Sequence, residues 1–237
     1  MKLTFRIEYR TAWGEELGVI LGENNNEPII LRTSNGEHWE GEAEMPDLPA
    51  CIPVSYRYGV YRDGQCIRRE SGTMAHLFCP GKKTNCHYIL NDFWKDLPAE
   101  SYLYSSAFSG DYHSEATIRV TASADKSITF RALCPCLRHK HQVLAISGSC
   151  PALGNWDIQK TVPMEEIRPN EWIITLNAAT LEFPLHYKFV ACNADSKQIE
   201  EWENHDNRTL DNPQLKKGEV YLTPETEIHF ISSARKV

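Results

Sequence analysis

Carboxylates are the first residues here whose types could do chemistry. Glu165-Glu166 and Glu200-Glu201-Trp202-Glu203 are dense enough to suggest an acid/base pair. Such a pair needs two carboxyl groups facing each other on a rigid scaffold, about 5 Å apart for a nucleophile and its acid partner. Neighbours in sequence do not make that arrangement, and both clusters read as solvated strand ends or loops. A second candidate is Cys134-Pro-Cys136-Leu-Arg-His139-Lys-His141. Thiolates and imidazoles bind zinc, yet Cys-x-Cys followed by His-x-His is not a usual ligand spacing. Residues two apart in a strand share a face, so these read as core and edge positions. No Gly-x-Ser-x-Gly elbow, glycine-rich phosphate loop or His-Glu-x-x-His occurs. The residues shown are therefore expected to be non-catalytic, with no metal and no cofactor.

The elements that would position these side chains are strands. Short alternating runs predict them at 3–8, 16–21, 27–31, 38–44, 54–61 and 73–78, then at 116–122, 127–133, 142–147, 171–176, 185–192, 197–202 and 227–231. Long helical periodicity is absent. The pattern predicts an all-β chain of two immunoglobulin-like antiparallel β-sandwich domains in tandem. An internal repeat supports two units. Val19-Ile-Leu-Gly22 matches Ala145-Ile-Ser-Gly148, His38-Trp39 matches Glu171-Trp172, Tyr56-Arg57-Tyr58 matches Tyr187-Lys188-Phe189, and Arg69-Glu70 matches Trp202-Glu203. The domains fall at 1–85 and 116–237. The 86–115 linker between them holds Phe93, Trp94, Tyr102, Tyr104 and Phe108, which are expected to pack on one or both domains.

Composition narrows the partners. The 237-residue chain carries a net charge of −7 with acids and bases mixed along it, which speaks against a nucleic-acid binder. No apolar run approaches the length of a membrane span, so no membrane partner is expected. The start, Met1-Lys-Leu-Thr-Phe-Arg6, alternates and is charged, unlike a signal peptide; the chain as written is expected to be cytoplasmic with its eight cysteines reduced. Six Trp and ten Tyr imply aromatic cores or flat binding surfaces. Trp172 sits in an alternating strand and reads as core. Trp156 follows Gly154-Asn155 in a turn, and Trp202 sits among Glu200, Glu201, Glu203 and Asn204, so burying either would be awkward.

The second half carries, in order, Leu153-Gly-Asn-Trp156, Trp172, Tyr187-Lys-Phe189, Trp202-Glu203 and Asn207-Arg208. This ordered set resembles a starch-binding domain of carbohydrate-binding module family 20. The resemblance implies that Trp156 and Trp202 are stacking platforms for the apolar face of glucose rings. It implies that Lys188 and Asn207 hydrogen-bond sugar hydroxyls, and that Glu203 orients Lys188 or accepts from a hydroxyl. The implied partner is α-glucan: starch, glycogen, maltodextrin or cyclodextrin. A second sugar site of that family is doubtful in this half, where its place holds Lys140. In the first half, Thr11-Ala-Trp13-Gly-Glu15 fits the second-site loop, so Trp13 is either a further sugar platform or a packing residue at a strand edge. That half has Asn24 in place of the first Trp and Arg69 in place of the second.

The tandem arrangement, with Asp92-Phe-Trp-Lys-Asp96 and Ser106-Ala-Phe108 between the halves, resembles the N-terminal region of glycoside hydrolase family 77 4-α-glucanotransferases. It implies that this chain targets a catalytic barrel, lying outside the residues shown, to its polysaccharide. The alternative is a β-sandwich module for protein contact or homodimerisation, which predicts Trp156 and Trp202 buried or in an interface.

Overall fold

The computed structural model describes residues 1–22, 27–50, 52–70, 75–96, 124–135, 137 and 141–230. The expectations for Asn24, Cys51, Cys136, His139 and Lys140, for the strand at 116–122, and for Tyr102, Tyr104, Ser106 and Phe108 lie outside the described residues. The described first half contains β1 (Lys2–Glu8), β2 (Glu16–Leu21), β3 (Ile29–Ile30), β4 (Arg32–Thr33), β5 (His38–Glu44), β6 (Val54–Arg62), β7 (Gln65–Arg69), β8 (His76–Phe78) and β9 (His87–Phe93). The described second half contains β10 (Lys126–Leu133), β11 (Gln142–Gly148), β12 (Val162–Pro163), β13 (Glu165–Arg168), β14 (Glu171–Asn177), β15 (Leu185–Asn193), β16 (Ile199–Trp202), β17 (Arg208–Leu210), β18 (Glu219–Leu222) and β19 (Thr226–Glu227).

The chain is all-β and builds sandwiches, as the alternating runs predict. Sheet β3-β2-β6-β7, with β8 on β6, covers the first core, and sheet β12-β11-β15-β16, with β17 on β15, covers the second. Both of these outer sheets are antiparallel. The opposing sheet is shared: nine strands, ordered β13-β14-β10-β18-β9-β1-β5-β4 with β19 on β10. It departs from the expected antiparallel pattern where the halves meet. There β10, β18, β9 and β1 run parallel to one another. Each closing strand, β9 or β18, returns beside the opening strand of its own half after the chain has traversed a sandwich, the long crossover that parallel pairing requires.

Residues 87–93 therefore form a strand of the shared sheet, not the beginning of a linker. Alternation along this seam sends neighbouring side chains to opposite cores. Tyr88 and Leu90 of β9 enter the first core, with Phe5, Val19, Trp39, Tyr56 and Phe78, while Ile89 enters the second, with Phe130, Ile146, Trp172 and Phe189. From β18, Val220 and Leu222 cross into the first core. The repeat is visible in register: Gly59 faces Arg69 as Val190 faces Trp202. One match shifts by a residue, because Val19 faces Tyr58 as Ile146, not Ala145, faces Phe189.

A buried polar cluster locks the seam. Arg131 of β10 donates to Asp92 of β9 at 2.7 Å, to the Asn91 carbonyl at 2.6 Å, to the Thr223 carbonyl at 2.7 Å and to the Tyr56 hydroxyl at 3.1 Å. Asp92, with a fully buried side chain, also accepts from the Tyr58 hydroxyl at 2.7 Å. Beside them Lys95 pairs with Glu225 at 2.6 Å and Glu171 at 3.4 Å, and Arg168 clamps Glu171 while donating to the Ala75 carbonyl.

Burial alone would raise the Asp92 pKa, but Arg131, His76 and Tyr58 more than offset it and hold the carboxyl below its ordinary value. A depressed carboxyl contributes stability that is present in full above the unfolded-state value, about 3.9, and is lost as pH falls through the folded-state value. Unfolding free energy from urea titration should therefore decline below about pH 4 and do so less steeply in Asp92→Asn. At neutral pH, Arg131→Ala strands Asp92 as a buried unpaired charge and should cost about 3–5 kcal/mol in the same measurement.

Candidate functional site

The outward face of the second outer sheet carries Lys188 and Trp202. On β15, Lys188, Val190 and Cys192 share that face by alternation. Trp202 of β16 lies directly opposite Val190 and packs on an apolar seat of Ala145, Val190 and Cys192 with Val143 and Ile199. The indole is thereby seated while remaining half-buried. Lys188 is diagonal to Trp202 on the same face, a spacing of about 7–8 Å in antiparallel pairs.

Trp156 comes from the turn Pro151–Trp156 that leaves β11. Leu153 plugs this turn into the second core with no exposed surface. Gly154 has φ +80° and its missing Cβ leaves room for the Lys160 carbonyl, which a side chain would strike. Asn155 and Trp156 then follow at φ +52° and +62°, in the left-handed region that bulky side chains rarely occupy. Strain of that kind, of order 1–3 kcal/mol, clusters where a side chain is held for a task. Asp157 closes the turn by accepting from the Gln159 N–H at 3.0 Å and pairing with Lys160 at 3.1 Å. Trp156 ends half-buried. Trp156 thus follows β11 in a turn, while Lys188 and Trp202 lie on β15 and β16, the next two strands of the sheet. Asn207 is exposed, one residue before β17.

Glu203 is a correction. Its side chain is 1 % exposed and does not reach toward Lys188 or solvent. One carboxylate oxygen accepts from the Phe189 N–H at 2.9 Å and the other from Arg208 at 2.8 Å. Arg208 in turn lies 5.6 Å from the Phe189 ring centroid. Glu203 is therefore a structural anchor that fixes the end of β16, and with it the adjacent Trp202. The first half repeats the device: Glu70 accepts from the Tyr58 N–H at 2.9 Å. Arg208, which sequence reasoning passed over as part of an Asn-Arg pair, is the partner that makes a buried carboxylate tolerable here.

Trp13 is fully exposed at a turn between β1 and β2. Glu15 holds that turn by accepting from the Ala12 N–H at 2.8 Å and from Arg62 at 2.9 Å. Its reading as a packing residue at a strand edge does not hold. Trp172 is core, 3 % exposed.

The carboxylate clusters are not both solvated as expected. Glu166 is buried and accepts from the Asn170 N–H at 2.7 Å, and Glu200 accepts from Gln142 at 2.6 Å. These acids are engaged in holding loops and strand ends. Among the described residues no three His, Cys, Asp or Glu side chains cluster as metal ligands. His141 lies 3.5 Å from Asp195, and Cys134 is buried.

Residues 126–221 match the family model described as starch binding domain. The rice protein 4-alpha-glucanotransferase DPE2 (Oryza sativa subsp. japonica) is 26 % identical over 231 residues, covering 88 % of this chain and 24 % of that protein. The chain thus spans about a quarter of the length of that curated relative. Among solved structures, the glycoside hydrolase family 15 glucoamylase of Hypocrea jecorina aligns with 42 % of this chain and 16 % of its own, at 24 % identity and a TM-score of 0.36. The family 20 module of the maltotetraose-forming amylase of Pseudomonas saccharophila aligns with 42 % of this chain and 98 % of its own, at 16 % identity and a TM-score of 0.34. Over residues 126–221, within the second sandwich, this chain is similar to the starch binding domain family.

Proposed function

We propose that this chain binds α-1,4-glucan of the starch or glycogen type without transforming it, and that it serves to bring a 4-α-glucanotransferase catalytic domain to the polymer. The observation that carries the reading is the placement of two half-exposed indoles, Trp156 and Trp202, on either side of the Lys188 strand in the segment that matches the starch binding domain family. Glucose rings present flat faces of C–H groups, which rigid aromatic surfaces cover at little entropic cost. Lys188 offers donors, and Asn207 offers both donor and acceptor, to hydroxyls at the ring edges. The name of the rice relative supports the transferase assignment.

Calorimetric titration with maltoheptaose or β-cyclodextrin tests this. The unmodified chain should bind weakly, with Kd about micromolar to millimolar. Trp156→Ala and Trp202→Ala should each weaken binding tenfold or more, about 1.4 kcal/mol, and the double variant should abolish it at the second sandwich. Residual binding lost in Trp13→Ala would assign a site to the first half. Absence of binding by a folded unmodified chain would overturn the reading in favour of a protein-contact module. Glu203→Ala should behave differently from the platform variants: it should lower unfolding free energy by about 3 kcal/mol, because Arg208 loses its buried partner, and weaken binding only through Trp202.

A further inference from the structure

Phe93, the last residue of β9, is 53 % exposed on the shared sheet, an aromatic ring left standing where the two halves meet. It forms a wall of two grooves. One, about 350 Å³, is lined on its other sides by Arg6, His38, Glu40, Asn91 and Tyr221. The second, about 300 Å³, is lined by His76, Trp94, Lys95, Glu225 and Glu227. Each draws on both halves of the chain, so the seam locked by Arg131 is what assembles them.

The second groove contains unspent hydrogen-bonding capacity. The Trp94 indole N–H is buried without a hydrogen-bond partner among the described residues. The Trp94 ring is fixed from behind, stacked on Tyr9 with centroids 4.2 Å apart. His76 is 3 % exposed, and its Nε2 is bound to Glu70 at 2.8 Å. Its Nδ1 has no hydrogen-bond partner among the described residues and sits 3.6 Å from the Asp92 carboxylate. An unpaired buried polar atom is costly, and a ligand of matching polarity recovers that cost.

The lining also restricts what that ligand can be. The lining cations are already paired, Arg6 with Glu40 at 2.6 Å and Lys95 with Glu225 at 2.6 Å, so a phosphate or nucleotide is disfavoured. Among the described residues the acids do not converge with a third ligand as a metal site does. So much polar lining disfavours a purely apolar guest. A neutral polyol with one flat apolar face satisfies all three constraints, because each hydroxyl both donates and accepts. We infer that Phe93 is the stacking ring of a further glucosyl subsite at the junction of the two halves, with the neighbouring Trp94 N–H meeting a sugar hydroxyl. This rests on the glucan-binding reading above and extends it to a surface that neither sandwich has alone.

Nuclear magnetic resonance of the indole N–H groups gives a direct test. The chain has six Trp, and substituting Trp13→Ala, Trp156→Ala and Trp202→Ala together leaves Trp39, Trp94 and Trp172. The Trp39 N–H is engaged by the Tyr9 carbonyl at 3.1 Å and Trp172 is core, so both serve as controls for folding. Titration with maltotriose should move the Trp94 resonance saturably, leave the other two in place, and require at least tenfold more sugar after Phe93→Ala. Phe93→Leu, which keeps apolar bulk but removes the flat face, should weaken the response in the same direction. If the unmodified chain binds maltoheptaose but the Trp94 resonance does not move, or moves equally in the Phe93 variants, the junction subsite is refuted and the broader function stands. If the unmodified chain binds no glucan, both fall. Should the triple variant not fold, the Trp94 resonance followed in the unmodified chain, with and without Phe93→Ala, decides between the same outcomes.

Discussion

Arg131 belongs to the second half of the chain, yet its guanidinium ends among Asp92, Tyr56 and the Asn91 carbonyl of the first. Its side chain is 4 % exposed and its carboxylate partner has no exposure at all. A charge taken that far from water is tolerable only when its donors are filled, and here four hydrogen bonds from the one side chain fill them. The geometry leaves little freedom for the halves to slide or rotate. Much else follows from that constraint: the parallel seam of β9 and β18, the exchange of apolar side chains across it, and the grooves flanking Phe93.

A second device recurs at a smaller scale. Glu70 and Glu203 occupy equivalent places in the two repeats, and each turns a buried carboxylate onto a backbone N–H of the neighbouring long strand. The partners have diverged. Glu203 is answered by Arg208, and the residue before it is Trp202; Glu70 is answered by His76 and the Lys95 N–H, and the residue before it is Arg69. One anchor thus supports the strand carrying Trp202 in the second half and the inter-half seam in the first. The shared scaffold survived while the surface it positions changed.

The sequence made some of this legible. β2 and β5 match the alternating runs at 16–21 and 38–44, and Trp172 is core as its strand implies. The platform indoles stood out because their polar neighbours made burial awkward. Other features were hidden for physical reasons. β9 reads locally as an aromatic connector, since its pairing with β18 joins residues roughly 130 positions apart and no local pattern records which sheet a strand will enter. The family resemblance places Glu203 against sugar; its burial depends on Arg208 and on the β15 register, which only the folded sheet reveals. The left-handed backbone at Trp156 is likewise a property of the closed turn, set by Gly154 and the Lys160 carbonyl and not by any preference of Trp.

The shared sheet ends in β13, of four residues, and β4, of two. Short terminal strands of this kind offer little template for a neighbouring molecule to pair with. Had the halves been separate bodies, β9 and β18 would each have been such a border, with backbone groups unpaired and Val220 and Leu222 stripped of the first core. By fusing along these strands the chain pairs two borders whose backbone groups would otherwise stand open. Either sandwich cut free of its twin would expose one of them, and with it a surface prone to self-association.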